Sequence, residues 1–212
     1  FASCSTSPKV APAIPQDKEV EAKIEKILKK MTLEEKIGQM TQVTVTAVAN
    51  GVDLTAAGDS IIRTYKVGSI LNTPGDIAQR PEDYNRLIKE LNRISMEEMG
   101  IPCLYGLDHI HGTTYVLGGV LFPQEINIAA TFNREHAYES RAANVPWTFS
   151  PTMDLGRNPA WPRMWESFGE DTYVNAQMAV AEVHGMQGDD PNHVGPYNIA
   201  ACAKHFMGYG VP

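Results

Sequence analysis

Four short stretches that are apolar on both faces constrain this chain most. Val67–Leu71, Ile101–Leu107, Val145–Met153 and Ile199–Phe206 lack the strict apolar–polar alternation of a strand with one face in water. Strands of that kind are covered on both sides, which is the condition of a parallel sheet with helices packed on it. The sequence between them has helical patterning, so the expected class is α/β.

Several helix signals are explicit. Val20, Ile24, Ile27, Leu28 and Met31 recur at helical spacing. Thr32 followed by Glu35 matches a capping box and predicts a helix restarting there and running through Met40. Pro81 opens a helix with Leu87, Ile88, Leu91 and Ile94 facing inward, and Gly100 and Pro102 end it. Asp171 is a candidate N-cap for a helix carrying Tyr173, Ala176, Val180 and Val183, closed by Gly185 or Gly188.

The polar residues gather just after the strands: Asp108 to His111, Asp154 to Arg157, and Lys204 with His205. In a parallel barrel these are the carboxyl ends of the strands, where sites are built. A doubly wound sheet obeys the same logic, but no glycine-rich phosphate loop follows any strand. Four strand–helix units are about half of a (β/α)8 TIM-type barrel, which takes about 250 residues. The expectation is a partial barrel whose remainder lies beyond Pro212.

Composition excludes some classes. The net charge is -7 and lysine and arginine form no block, which argues against a nucleic-acid partner. No apolar run is long enough to span a bilayer. Cys4, Cys103 and Cys202 are too few and too widely spaced for a disulfide framework or a zinc site. Cys103 and Cys202 lie in apolar runs and read as small buried residues. Residues 1–16 have the composition of a flexible tether, and Phe1-Ala2-Ser3-Cys4 resembles a bacterial lipobox. That gives Cys4 two readings, a lipid anchor in the periplasm or cell envelope, or an incidental terminal thiol. The division expected is 1–16 as tether and 17–212 as barrel.

As chemistry, Asp108 offers two acceptor oxygens, Arg163 a planar fork of donors, Lys204 a point charge and His205 a donor–acceptor ring. Converging on one pocket, they would fix several hydroxyls of a sugar through charged hydrogen bonds, with Trp161 and Trp165 as an apolar face. The alternative is a structural ion pair between Asp108 and Arg163 at the barrel rim. His109-Ile110-His111 also has spacing that can place two imidazoles on one metal, with Lys204-His205 adding ligands as in a metal-dependent amidohydrolase-type barrel. The strand order is wrong for that superfamily.

Longer strings tip the balance. MTLEEKIGQM (31–40), GIPCLYGLDHIHG (100–112), LFPQEINIAATFN (121–133), VPWTFSPTMDLGRNPAWPRMWESFGED (145–171) and AACAKHFMGYG (200–210) resemble glycoside hydrolase family 3, in that family's order. The resemblance implies that Asp108, at the end of the second strand, grips a terminal sugar together with Arg163, Lys204 and His205. It assigns Asp154, Arg157 and Glu166 to loop support, and the His111-Gly112 dipeptide to turn structure. It implies a retaining mechanism with two carboxylates, an oligosaccharide or β-glucoside substrate, and no cofactor or metal. Both carboxylates, nucleophile and acid/base, are expected beyond Pro212, so the chain alone is expected to be inactive, a sugar-binding remnant of a β-glucosidase-like parent. KHFMGYG, with Met207 and Tyr209, differs from the KHFPGHG of the family's bacterial N-acetylglucosaminidases and favours the β-glucosidase-like branch. The link from Phe132 to Ala142 is shorter than the family's usual helix.

Overall fold

A computed structural model of the chain describes residues 17–129, 142–190, 192–205 and 209–210. The tether with Cys4, the link from Phe132 to Arg141, and Met207 lie outside the described residues. The chain divides into two compact units, Phe1–Met31 and Thr32–Pro212. In the first, helix α1 (Lys18–Leu28) is capped by Asp17, whose carboxylate accepts from the amides of Glu19 and Val20. Its apolar stripe, Val20, Ile24, Ile27 and Leu28, remains 40–46% exposed.

The second unit opens as its sequence dictates. Thr32 and Glu35 form the reciprocal capping box, Oγ1 accepting from the Glu35 amide at 3.2 Å and the Glu35 carboxylate from the Thr32 amide at 2.8 Å. Helix α2 (Leu33–Met40) follows and leads into strand β1 (Gln42–Thr44). A short antiparallel hairpin, β2 (Ala49–Asn50) and β3 (Asp53–Leu54), precedes α3 (Ala56–Tyr65). Strand β4 (Ser69–Leu71) and helix α4 (Pro81–Met99) come next, with Pro81 in the first turn and Gly100 left-handed at φ 66° as C-cap. Then come β5 (Leu104–Leu107), α5 (Glu125–Ala129), β6 (Trp147–Thr148) and α6 (Thr172–Gln187).

The main sheet is parallel in the order β1-β4-β5-β6, so each strand lies beside its predecessor and the crossovers run through helices. Three of the expected strands, β4, β5 and β6, fall inside their predicted stretches. The fourth, Ile199–Phe206, joins by isolated parallel bridges, Trp147 to Ala200 and Thr152 to Lys204, instead of a continuous ladder. β1 was not expected. It is an edge strand in this sheet, with Gln42 and Thr44 exposed, and so carries no run apolar on both faces.

The core sits between the sheet and α3 and α4. Ile70, Leu107 and Tyr105 meet Leu87, Ile88, Leu91 and Ile94, none more than 1% exposed. These four α4 residues are the ones the helical spacing selected. Tyr84 and Tyr105 pack edge to face at 6.0 Å, and both keep their hydroxyls bonded, Tyr84 to Thr73 Oγ1 at 2.8 Å and Tyr105 to the Asn72 carbonyl at 2.7 Å. A Cβ on Gly38 would lie 1.9 Å from the Tyr65 carbonyl, so α2 reaches α3 only because that residue has no side chain.

Helix α6 is capped as expected, Asp171 accepting from the Tyr173 and Val174 amides, and Gly188 closes it. Its buried residues are Asn175, Met178, Ala179 and Met186, whereas Tyr173 and Val180 face solvent. A helix that is apolar nearly all round leaves its inward face to tertiary packing. Cys103 is buried, while Cys202 is only half-buried; both carry free thiols.

Candidate active site

Asp108 follows β5 directly, at the carboxyl end of what is the third strand of the parallel sheet in chain order, one later than expected because β1 precedes it. The neighbouring chain of β6 continues to Asp154, and the bridge from Thr152 to Lys204 brings the 199–205 segment alongside. Strand register therefore delivers three acidic or basic side chains to one end of the sheet.

Lys204 Nζ donates to Asp108 Oδ1 at 2.7 Å, with the lysine 13% and the aspartate 39% exposed. His205 turns the other way. Its Nδ1 lies 2.7 Å from Asp154 Oδ2, which also accepts from the His205 amide at 3.3 Å. Asp154 is buried, and its backbone carbonyl is held by the Asn175 side chain of α6. The Lys204–His205 peptide is cis.

Arg163 sits at the start of a short 3-10 turn, Met164–Glu166. Its Nε donates to Glu166 Oε1 at 2.7 Å and its Nη2 to Glu166 Oε2, a two-pronged pair with a carboxylate that is 5% exposed. Glu166 accordingly holds the guanidinium pKa well above its ordinary value. Arg163 Nη1 is 3.2 Å from His205 Nε2. A guanidinium can only donate, so Nε2 accepts and the ring proton sits on Nδ1, facing Asp154. Asp154, His205, Arg163 and Glu166 thus form one continuous chain of hydrogen bonds.

The expected residues Asp108, Arg163, Lys204 and His205 are therefore brought together, but in different pairs from the rim ion pair considered above. Asp108 is bonded to Lys204, and Arg163 to Glu166 and His205. Arg157 donates to the Glu170 carbonyl at 3.0 Å.

The aromatic part of the site differs from expectation. Trp161 is buried at 4% exposure and packs edge to face on Tyr209 at 5.7 Å. Trp165 is exposed, with its indole N–H committed to the Pro162 carbonyl. The ring next to the charged cluster is Tyr209, 46% exposed, 4.9 Å from the His205 ring and beneath the Arg163 guanidinium at 5.6 Å. The sequence marked Tyr209 only as a variable position, and no periodicity singles it out.

The two histidines of the HxH do not converge. His109 is 4% exposed and stacks near Tyr115, and burial pushes its pKa down to about 3. His111 Nδ1 is 3.0 Å from the Phe122 carbonyl across a turn. Among the described residues, no group of three His, Cys, Asp or Glu is arranged to hold a metal ion.

A parallel sheet that carries charged side chains at the carboxyl ends of its strands defines the class of an α/β domain with its site at that end, as barrels and doubly wound sheets share. The chain belongs to glycosyl hydrolase family 3: the model of that family's N terminal domain matches residues 32–211. It is 37% identical to a lysosomal beta glucosidase of Dictyostelium discoideum, the match covering 89% of this chain and 26% of the relative. It is 33% identical to a periplasmic beta-glucosidase of Salmonella typhimurium, covering 87% and 23%. Among solved structures, an exo-1,3/1,4-beta-glucanase from a Pseudoalteromonas species superposes with a TM-score of 0.82 at 31% identity, over 93% of this chain and 26% of that one. The four-stranded sheet is thus part of a TIM-type barrel, and the chain spans about a quarter of the length of these relatives.

Proposed function

We propose that this chain is the sugar-gripping portion of a retaining, exo-acting β-glucosidase that removes terminal β-D-glucosyl residues from oligosaccharides or glycosides. The observation that carries the reading is the convergence of Asp108, Lys204, Arg163 and His205 at one end of the parallel sheet. Asp108 and Lys204 present an acceptor and a donor to adjacent hydroxyls. The unused guanidinium protons of Arg163 supply further charged donors. Asp154 and Glu166 hold His205 and Arg163 from behind, and Tyr209 lines the side of the cluster with an aromatic ring. Two further carboxylates, the nucleophile and the acid/base, complete the retaining mechanism and are supplied by sequence other than these 212 residues. Relatives named as β-glucosidases support the glucosyl reading, while others carry the name of β-xylosidases, so the sugar preference is a point for direct test.

The domain reading proposed is a tether over residues 1–16 and a barrel portion from 17 to 212. A lipid anchor on Cys4 would place the parent at the bacterial cell envelope, facing the periplasm; a relative named as a periplasmic enzyme supports the compartment.

The test is Asp108→Asn in the full-length parent. Replacing a charged acceptor by a neutral one weakens bonds worth about 1.5–3 kcal/mol each, so kcat/KM for an aryl β-glucoside should fall at least about tenfold, much of it in kcat. Unchanged kcat/KM per folded molecule would remove Asp108 from the sugar site. Equal turnover of the aryl β-xyloside by the unmodified parent would overturn the glucosyl preference.

A further inference from the structure

Glu125 is the first residue of α5 and has no exposed surface. Its Oε1 accepts one long bond, 3.3 Å, from the Thr152 amide, and its Oε2 has no hydrogen-bond partner among the described residues. An ionised carboxylate in that position would be uncompensated, at a cost far above that of the neutral acid. Its charged neighbours make ionisation harder. Glu182, from α6, and Glu166, from the 3-10 turn, both oppose a negative charge on Glu125, and only Lys204 favours one. Glu182 is half-buried on α6, beside Ser150; its surroundings also favour the neutral acid, with Lys204 as its one favourable charge. Lys204, however, is already bonded to Asp108. One ammonium faces three carboxyls, and geometry gives it to Asp108.

We propose that Glu125 and Glu182 form a proton-holding pair beneath the Asp108–Lys204 contact, an uncharged floor that leaves the lysine ammonium directed at Asp108. Burial pushes both carboxyl pKa values up, and the nearby Glu182 pushes Glu125 further. Each acid, while protonated, has an O–H to donate, and the Thr152 hydroxyl, buried without a partner among the described residues, is one acceptor within the same region. Loss of the protons would put negative charge under Lys204 and draw its ammonium away from Asp108. The pair stands on this chain's own packing and does not depend on the glycosidase reading.

The linkage has a definite sign. A carboxyl whose folded pKa is raised keeps its proton in the folded chain while the unfolded chain loses it, so stability falls as pH rises from the usual carboxylate range toward the folded value. The experiment is urea unfolding of the 212-residue chain between pH 5 and 8, beside Glu125→Gln, Glu182→Gln and the double variant. Each proton retained raises the unfolding constant about tenfold per pH unit. The neutral glutamines should flatten that slope, most in the double variant. Infrared spectra of the unmodified chain at pH 7 should show the carbonyl band of a protonated carboxylic acid, absent from the double variant. If the glutamine variants do not fold, the band in the unmodified chain decides. NMR of 15N-labelled lysine, with Lys204 assigned by Lys204→Arg, should show its Nζ signal moving as the floor ionises, and not moving in the double variant. Parallel stability profiles, no acid band at pH 7, or an Nζ signal indifferent to the floor would each overturn the proposal.

Discussion

Removing Glu166 tests how Arg163 is held in the site. Glu166→Ala deletes both prongs of the guanidinium–carboxylate pair and leaves a cation with only the His205 ring and Tyr209 beside it. Two charge-assisted bonds are worth about 3–6 kcal/mol in gross terms. Arg163 is 31% exposed and recovers hydration, which brings the expected loss to about 2–4 kcal/mol. The measurement is a double-mutant cycle by urea unfolding with Glu166→Ala, Arg163→Ala and the double variant. If the pair is what costs, Glu166→Ala is much milder in the Arg163→Ala background, and the coupling energy exceeds about 1 kcal/mol. Strict additivity, within about 0.5 kcal/mol, would refute the claim that the carboxylate exists to hold the arginine.

Three further outcomes follow from the packing. Tyr84→Phe should cost only about 1 kcal/mol in urea unfolding, because Thr73 still donates to the Ile77 carbonyl and the Tyr115 carbonyl still accepts from Gln79, so no buried group is orphaned. Gly38→Ala should lower stability by about 1–3 kcal/mol or more, since the added methyl meets the Tyr65 carbonyl; an unchanged urea midpoint would show that α2 is free to move off α3. Burial pushes the Cys103 thiol up to about 12, so it should resist a thiol-specific reagent at pH 8 until the chain unfolds, and rapid labelling in the native state would contradict its placement in the core.

The parts of the fold legible in the sequence were those decided locally. The Thr32–Glu35 box, the Asp171 cap and the Pro81-to-Gly100 helix each depend on residues within a few positions of one another. Of the three strands found where expected, two centre on apolar residues that the core covers, Ile70 in β4 and Tyr105 and Leu107 in β5, which is why their stretches stand out. β1 escaped notice for the converse reason: with one edge open, Gln42 and Thr44 are tolerated, and three residues are too few to show a period. The inward face of α6 was illegible because neither its apolar residues nor its single buried amide, Asn175, marks a side; that face is set by the Asp154 carbonyl the amide meets.

In the site, residue type identified the members but not the pairs. Asp108 can accept from any cation, and sequence alone offers Arg163 as readily as Lys204. The choice is made by strand order. β5 lies beside β6, and the 199–205 segment lies beside β6 in turn, which carries Lys204 to Asp108 across 96 positions of sequence. Arg163 is meanwhile claimed three residues away by Glu166, on one side of a 3-10 turn where positions three apart align. The nearer carboxylate takes the arginine, and the more distant aspartate is left for the lysine. A chain read without its sheet order cannot make that assignment. The same reasoning explains why Glu125 attracted no notice as a residue in LFPQEIN: nothing in its own segment distinguishes a solvated glutamate from one buried within the electrostatic reach of a second carboxyl 57 positions further along the chain.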